Sequence, residues 1–260
     1  MRNVGCFLGI IALLISACSH SGSDVSTNNQ VAKSDKGTLF IDLGAEVPSL
    51  DPQLIEDMRS IRVANDLFAG LVSFDESNNI IPGLAKSWSV SDDGKTYLFT
   101  LRPNLKFSDG SSIKSSDVVY SWQRLVAPQT GSPYGLIANS ILNAQSIIDG
   151  KVPASSLGVR ALSESVVEVK LAYPDKAFLA KLLRPSFYVV SQSNVEKYGK
   201  QWTSPQHLVS SGAYCLKSHI INGSLTLTKN NYYSNSSQVK LTNVIFYPLV
   251  DSNTSLLKYK

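Results

Sequence analysis

The sequence predicts a mixed α/β fold in which sheets and helices pack as layers. Three observations predict it. Apolar residues recur at helical spacing in two segments, Ile61, Ala64, Leu67, Phe68 and Leu71, then Val118, Val119, Trp122 and Leu125. Alternating segments of strand type occur near residues 96–101, 166–171 and 212–229, the last interrupted by the hairpin signal Asn222-Gly223. The two kinds do not alternate strictly, which argues against a parallel doubly wound sheet and for mixed layers.

In chain order, residues 38–43 read as a strand. Residues 47–52 read as a loop, because Pro48 and Pro52 disfavour a regular element. The first periodic segment predicts a helix over 60–71. Ser91-Asp92-Asp93-Gly94-Lys95 and Phe107-Ser108-Asp109-Gly110 are turns on either side of the strand at 96–101. The second periodic segment predicts a helix over 115–126, stopped by Pro128. Lys114 stands at its start, so the cap is expected on Ser115 or Ser116. A strand follows at 166–171, a short helix at 177–183, two strands at 212–220 and 224–229, a strand at 244–249 and a helix over 252–259.

The 260 residues are enough for one large domain or two smaller ones. With 43% hydrophobic and 17% charged residues, the composition is that of a globular chain and excludes wholesale disorder. The net charge of +4 is carried by scattered basic residues, and without clustering there is no nucleic-acid footprint.

Residues 1–17 read as a signal peptide. Arg2 gives a positive start, and residues 4–15 form an apolar stretch too short for a mature transmembrane helix. It runs into Ile15-Ser16-Ala17-Cys18, which resembles the bacterial lipobox and implies that Cys18 is acylated and becomes the membrane anchor. Residues 18–36, rich in Ser, Asn, Gly and Asp, read as a flexible tether. Cys215 then remains as the unmodified thiol, which excludes an internal disulfide, and its place in an alternating run makes it a small buried hydrophobe.

Signatures of chemistry are absent. His20, His207 and His219 have no partner at metal-ligand spacing, and no phosphate loop or nucleophile elbow occurs. His207 reads as a loop surface residue and His219 as a solvent-facing strand residue. No pair of acids announces acid–base work, so the chain is expected to be no enzyme and to use no cofactor or metal.

An ordered set of segments carries a resemblance. It begins with Ser49-Leu50-Asp51-Pro52 and continues through Asp66-Leu67-Phe68-Ala69-Gly70-Leu71, Pro82-Gly83-Leu84-Ala85 and Phe107-Ser108-Asp109-Gly110 to Asp117-Val118-Val119-Tyr120-Ser121-Trp122-Gln123-Arg124. Ser132-Pro133-Tyr134, Ser211-Gly212-Ala213-Tyr214 and Asn231-Tyr232-Tyr233 follow. In this order they resemble the oligopeptide-binding proteins of bacterial ABC importers, solute-binding protein family 5. The resemblance implies a periplasmic-binding-protein-like fold of the class II or cluster C type, two lobes closing on a ligand, one of them enlarged by an extra domain. Laid on this sequence it implies residues 37–68 and 194–260 in the first lobe and 69–193 in the extra domain, with the second lobe absent and the chain truncated. It implies short peptides and ABC permease subunits as partners, in the periplasm or at the cell surface. A lipid-anchored adhesion protein or a sensor reusing the scaffold is the rival expectation.

Three positions match ligand-facing positions of that family: Glu56, a cleft carboxylate; Met58, where the backbone runs beside the peptide; and Tyr134, an aromatic near the peptide amino end. Each has a structural alternative, as a loop acid, a filler of a core gap and a packing aromatic respectively. Asp51 reads as a turn-capping acid and Trp122 as a core aromatic.

Overall fold

Two hydrophobic cores organise residues 37–259, the part of the chain described by a computed structural model. The predicted signal segment, Cys18 and the tether lie outside the described residues. In chain order the elements are β1 (Thr38–Asp42), α1 (Met58–Leu67), β2 (Val72–Phe74), β3 (Ile80–Pro82), β4 (Ala85–Val90), β5 (Thr96–Leu101), α2 (Ser115–Val126) and α3 (Ala144–Ile148). Then come β6 (Val159–Ser163), β7 (Val166–Lys170), α4 (Phe178–Lys181), α5 (Gln192–Tyr198), β8 (Tyr214–Ile220), β9 (Ser224–Lys229), β10 (Asn243–Tyr247) and α6 (Ser252–Tyr259).

The first core joins the two ends of the described chain. Its sheet has the order β1-β10-β9-β8, and β1 pairs in parallel with β10, Thr38 opposite Asn243 and Asp42 opposite Tyr247. Alternation along β9 and β10 turns Leu225, Leu227, Val244 and Phe246 inward, where Val63, Ala64 and Leu67 of α1 cover them. The hairpin forms where Asn222-Gly223 predicts it, as a three-residue loop with Asn222 left-handed at φ 56°.

The second core lies under the antiparallel sheet β4-β5-β7-β6. Tyr97, Phe99 and Leu101 of β5 face inward beside Val167 and Val169 of β7, with Phe99 opposite Val167. Helix α2 lays Val118, Trp122 and Leu125 on this face, and Trp122 donates its indole N–H to the Phe187 carbonyl at 3.0 Å. The α2 start differs from expectation. The Asp117 carboxylate accepts from the Lys114 N–H at 2.8 Å, while the Ser115 hydroxyl donates to the Ser163 carbonyl. Reaching back to sheet β6 outcompetes local capping for that hydroxyl.

Helix α1 starts two residues before the expected bound and stops at Leu67. Phe68 turns extended because the chain there is claimed by other partners: Gly212 N–H donates to Leu67 O at 2.9 Å and Ala69 N–H to Ser211 Oγ at 3.1 Å. A Cβ on Gly212 would come within 2.7 Å of Leu67 backbone carbon, so glycine is required for the approach. Leu71, the last residue of the periodic set, therefore packs in the second core rather than the first.

A buried ion pair links the cores. Arg124 of α2 donates to Asp51 through both amino groups, at 2.9 and 2.5 Å, and also to Gln53 Oε1. Trp202 Nε1 donates to the same carboxylate at 3.3 Å, and Gln53 Nε2 donates to the Ser121 carbonyl at 2.8 Å. The two charged side chains are 14% and 6% exposed. Removing one partner leaves the other charge buried and uncompensated. Asp51→Asn or Arg124→Met is expected to cost about 3–5 kcal/mol, and the double variant less than the sum of the two. Urea unfolding of the three variants checks this; additive losses would show that the pair does not act as a unit.

Candidate functional site

The loop from Leu43 to Asp57 is held at both ends and in its middle, and this decides what it shows to solvent. Arg59 Nε donates to the Leu43 carbonyl at 3.1 Å, and Val47, Leu50 and Ile55 anchor the loop in the first core. Asp57 caps α1, accepting from the Arg59 and Ser60 N–H groups at 3.1 Å each and from the Ser60 hydroxyl at 2.6 Å. Burial pushes the Asp57 carboxyl up, but these donors outweigh it and hold the group below its ordinary value. With Asp57 turned in, its neighbours turn out. Glu56 is exposed, and its carboxylate has no hydrogen-bonding or ionic partner among the described residues. Met58 is 76% exposed at the first position of α1, so it fills no core gap.

Tyr134 is half-buried, and its hydroxyl lies 3.5 Å from the Glu56 carbonyl, the outer limit of a hydrogen bond. Glu56 and Tyr134 thus meet at one rim, with Met58 just beyond. A shallow cleft of about 250 Å³, its open mouth included, lies beside them. It is lined by Pro52, Ile55, Ile61, Tyr134, Arg184, Pro185 and Ser186. Arg184 was not legible as a site residue. Its trace in the sequence is thin, a cation before a proline that stops the preceding helix and sets Arg184 itself extended at ψ 140°. A larger cleft of about 730 Å³, open mouth included, lies between Arg62 and Asn65 of α1 and Ser73 and Phe74 of β2. Tyr188 lines it with its hydroxyl 2.9 Å from Asn65 Oδ1, and burial pushes that phenol up to about 12. None of the predicted site residues lines it.

His219 is a correction. It does not face solvent: its Nε2 lies 2.7 Å from Glu46 Oε1, with side chains 14% and 28% exposed. The other Glu46 oxygen accepts from the Asn222 N–H at 2.7 Å. One carboxylate therefore ties the tip of the β8–β9 hairpin to the loop that carries Glu56. His207 sits in its loop as expected but stacks on Tyr198, with ring centres 3.8 Å apart. Cys215 is half-buried rather than fully so, and burial raises its thiol. Among the described residues no group of acids, histidines or cysteines is placed to hold a metal.

The bacterial extracellular solute-binding proteins, family 5 Middle, match residues 79–260. The periplasmic oligopeptide-binding protein OppA of Salmonella typhimurium is 40% identical over 254 residues, which covers 97% of this chain and 46% of that protein. The periplasmic murein peptide-binding protein MppA of Escherichia coli is 38% identical over 251 residues, covering 95% of this chain and 46% of that one. The solved structure of Escherichia coli MppA superposes with a TM-score of 0.83 at 38% identity, over 86% of this chain and 44% of the other. Haemophilus influenzae OppA in complex with RPPGFSPFR gives 0.83 at 33% identity, over 86% and 44%. These relatives are solute-binding proteins, and the chain spans about half the length of those it matches.

The Glu46 contact predicts a pH dependence. Burial alone would raise this carboxyl; the His219 hydrogen bond and the Asn222 and Val47 N–H groups together hold it below its ordinary value. A depressed carboxyl stabilises the fold above its unfolded value and ceases to do so as pH falls through the folded one. Glu46→Gln should therefore cost about 1 kcal/mol at neutral pH, with the difference from the parent closing as the pH falls below the ordinary glutamate value and through the depressed one. Thermal melts across pH check this, and a difference that persists in acid would exclude the linkage.

Proposed function

We propose a peptide-binding role for this chain, which belongs to the bacterial extracellular solute-binding proteins of family 5. The reading is that it forms one wall of the ligand cleft of an ABC importer's binding component, in the periplasm or at the cell surface, and that peptides pass from it to a permease. The observation that carries it is the rim at Glu56, Met58 and Tyr134. Side chains there are turned outward, without partners for the Glu56 carboxylate among the described residues, on a loop whose backbone is firmly anchored. A binder of many peptides must read main chain rather than side chains. An extended ligand running past such a rim offers its amides to fixed protein groups, while open, wet spaces take the varied side chains. The names of the relatives, oligopeptide-binding and murein peptide-binding, support the same reading.

The proposed organisation assigns residues 37–68 and 194–260 to one lobe and 69–193 to an extra domain. The two cores support it: the first draws on Val47 to Phe68 and on Tyr188 to Phe246, the second on Leu71 to Val189. Cys18 is proposed as the lipidated N-terminus, on the sequence leading to it. Cys18→Ser should move the protein from the membrane fraction to the soluble fraction or leave it unprocessed. Mass spectrometry of mature protein that still begins at Met1 would exclude the anchor.

One wall alone leaves a bound peptide half in water, where each hydrogen bond contributes only about 1 kcal/mol against an immobilisation cost of several kcal/mol. The chain is therefore expected to bind short peptides with a dissociation constant of about 1 mM or somewhat weaker. Tyr134→Ala and Glu56→Ala should each weaken binding further. NMR titration with short peptides measures this. No perturbation at the highest soluble peptide concentrations, or perturbations confined to surfaces away from Glu56 and Tyr134, would overturn the proposal.

A further inference from the structure

Six arginines lie among the described residues, and five of them are held. Arg59 donates to the Leu43 carbonyl, Arg62 pairs with Asp66, Arg102 donates to the Gly83 and Pro82 carbonyls, Arg124 is buried against Asp51, and Arg160 pairs with Glu168. Arg184 is the sixth. It is exposed, and its guanidinium has no hydrogen-bonding or ionic partner among the described residues.

Its backbone, by contrast, is fixed. Arg184 N–H donates to the Lys181 carbonyl at 3.1 Å, and its own carbonyl accepts from Phe187 N–H at 3.0 Å. Pro185 and Ser186, which follow it, are buried. The nearby cation Lys181 is committed to Asp175 at 2.6 Å. Arg184 thus stands as a rigidly based cation at a cleft otherwise lined by Pro52, Ile55, Ile61, Tyr134, Pro185 and Ser186. Low-dielectric walls strengthen a charge contact formed between them, and the guanidinium fork matches a carboxylate in two-point geometry.

We infer that Arg184 is a specificity residue that selects ligands carrying a carboxylate, held at the mouth of the Pro52–Ile55–Tyr134–Arg184 cleft. The inference rests on the peptide reading of that cleft and names the class of peptide it prefers. Two sources supply such a carboxylate, an acidic side chain or the peptide C-terminus, and one set of ligands separates them. Ala-Glu-Ala and Ala-Gln-Ala differ only in the side-chain carboxylate; Ala-Gln-Ala and its C-terminal amide differ only in the terminal one.

Dissociation constants for the three peptides are measured by NMR titration on the parent protein and on Arg184→Gln, Arg184→Lys and Arg184→Glu, each checked for folding by circular dichroism. The parent should prefer one carboxylate-bearing member of a pair by about fivefold at low salt, less at high salt. Arg184→Gln should bring that ratio to one, Arg184→Lys should retain part of it, and Arg184→Glu should invert it. A response in the Glu–Gln pair identifies a side-chain carboxylate, and one in the acid–amide pair the C-terminus. Equal binding of all three peptides by the parent, or a ratio that Arg184→Gln leaves unchanged, overturns the inference while the peptide reading stands. Failure of every peptide to bind the parent overturns the peptide reading itself.

Discussion

The Asp51–Arg124 pair is the constraint on which the placement of the candidate site depends. Asp51 lies at the inner turn of the loop that follows β1, and Arg124 lies on the helix that covers the second core. Two nearly parallel charge-assisted hydrogen bonds fix orientation as well as distance. Trp202 Nε1 and the Gln53 N–H complete the hydrogen bonds to the Asp51 carboxylate, and Gln53 Oε1 accepts a further bond from Arg124. A buried ion pair of this kind is weak evidence for stability, because desolvation consumes much of the attraction. What it supplies here is registry. The stretch from Pro52 to Asp57, two short turns on, has little freedom left, and Glu56 must emerge on the side where Tyr134 can reach its carbonyl.

The joint between the cores is tight where glycines let backbones approach. Gly212 lies against the end of α1, and Gly83 lies against the carbonyl of Gly70, where a Cβ would approach to 2.6 Å. Backbone therefore meets backbone at the crossing points. The hydrogen bonds there, Gly212 to Leu67 and Leu84 to Gly70, are each 2.9 Å long. Rigid crossings transmit position faithfully: the cleft wall from Arg184 to Ser186 hangs from the chain segment whose next residues, Phe187 to Val190, pass from one core to the other.

Local periodicity made much of this legible. The α2 helix and the β5, β7 and β9 strands lie where spacing predicts them, because each has one buried face and a turn signal at its ends. The short strands β2, β3, β4 and β6 and the helices α3 and α5 escaped, since three to seven residues carry too little pattern to separate strand from loop. The end of α1 escaped for a different reason: Phe68 to Leu71 continue its apolar spacing, and only a contact with Gly212, more than a hundred residues on, turns the chain out of the helix. Long-range partners also overruled the reading of single residues. Asp51 looked like a turn acid, and it is one, accepting from Gln53 N–H, but its side chain is spent mainly on Arg124. His219 looked exposed because its strand alternates, yet Glu46 from another segment covers it. For the candidate site, the resemblance led to Glu56, Met58 and Tyr134, and nothing in local pattern pointed to Arg184.

A free charge is costly to bury and cheap to leave in water, so an arginine without a partner is ordinary on a convex surface. It is informative at Arg184 because the surroundings are concave and apolar while the backbone is pinned. An unfixed side chain on a fixed base keeps rotamer freedom until a ligand arrives, and ordering it then subtracts from affinity. Selectivity suffers less, because that ordering cost is common to competing ligands that engage the arginine, whereas the charge contact is made by one of them. Its strength grows as water is excluded from above the cleft. A rim charge that discriminates weakly while open to water discriminates more sharply wherever a ligand itself covers it.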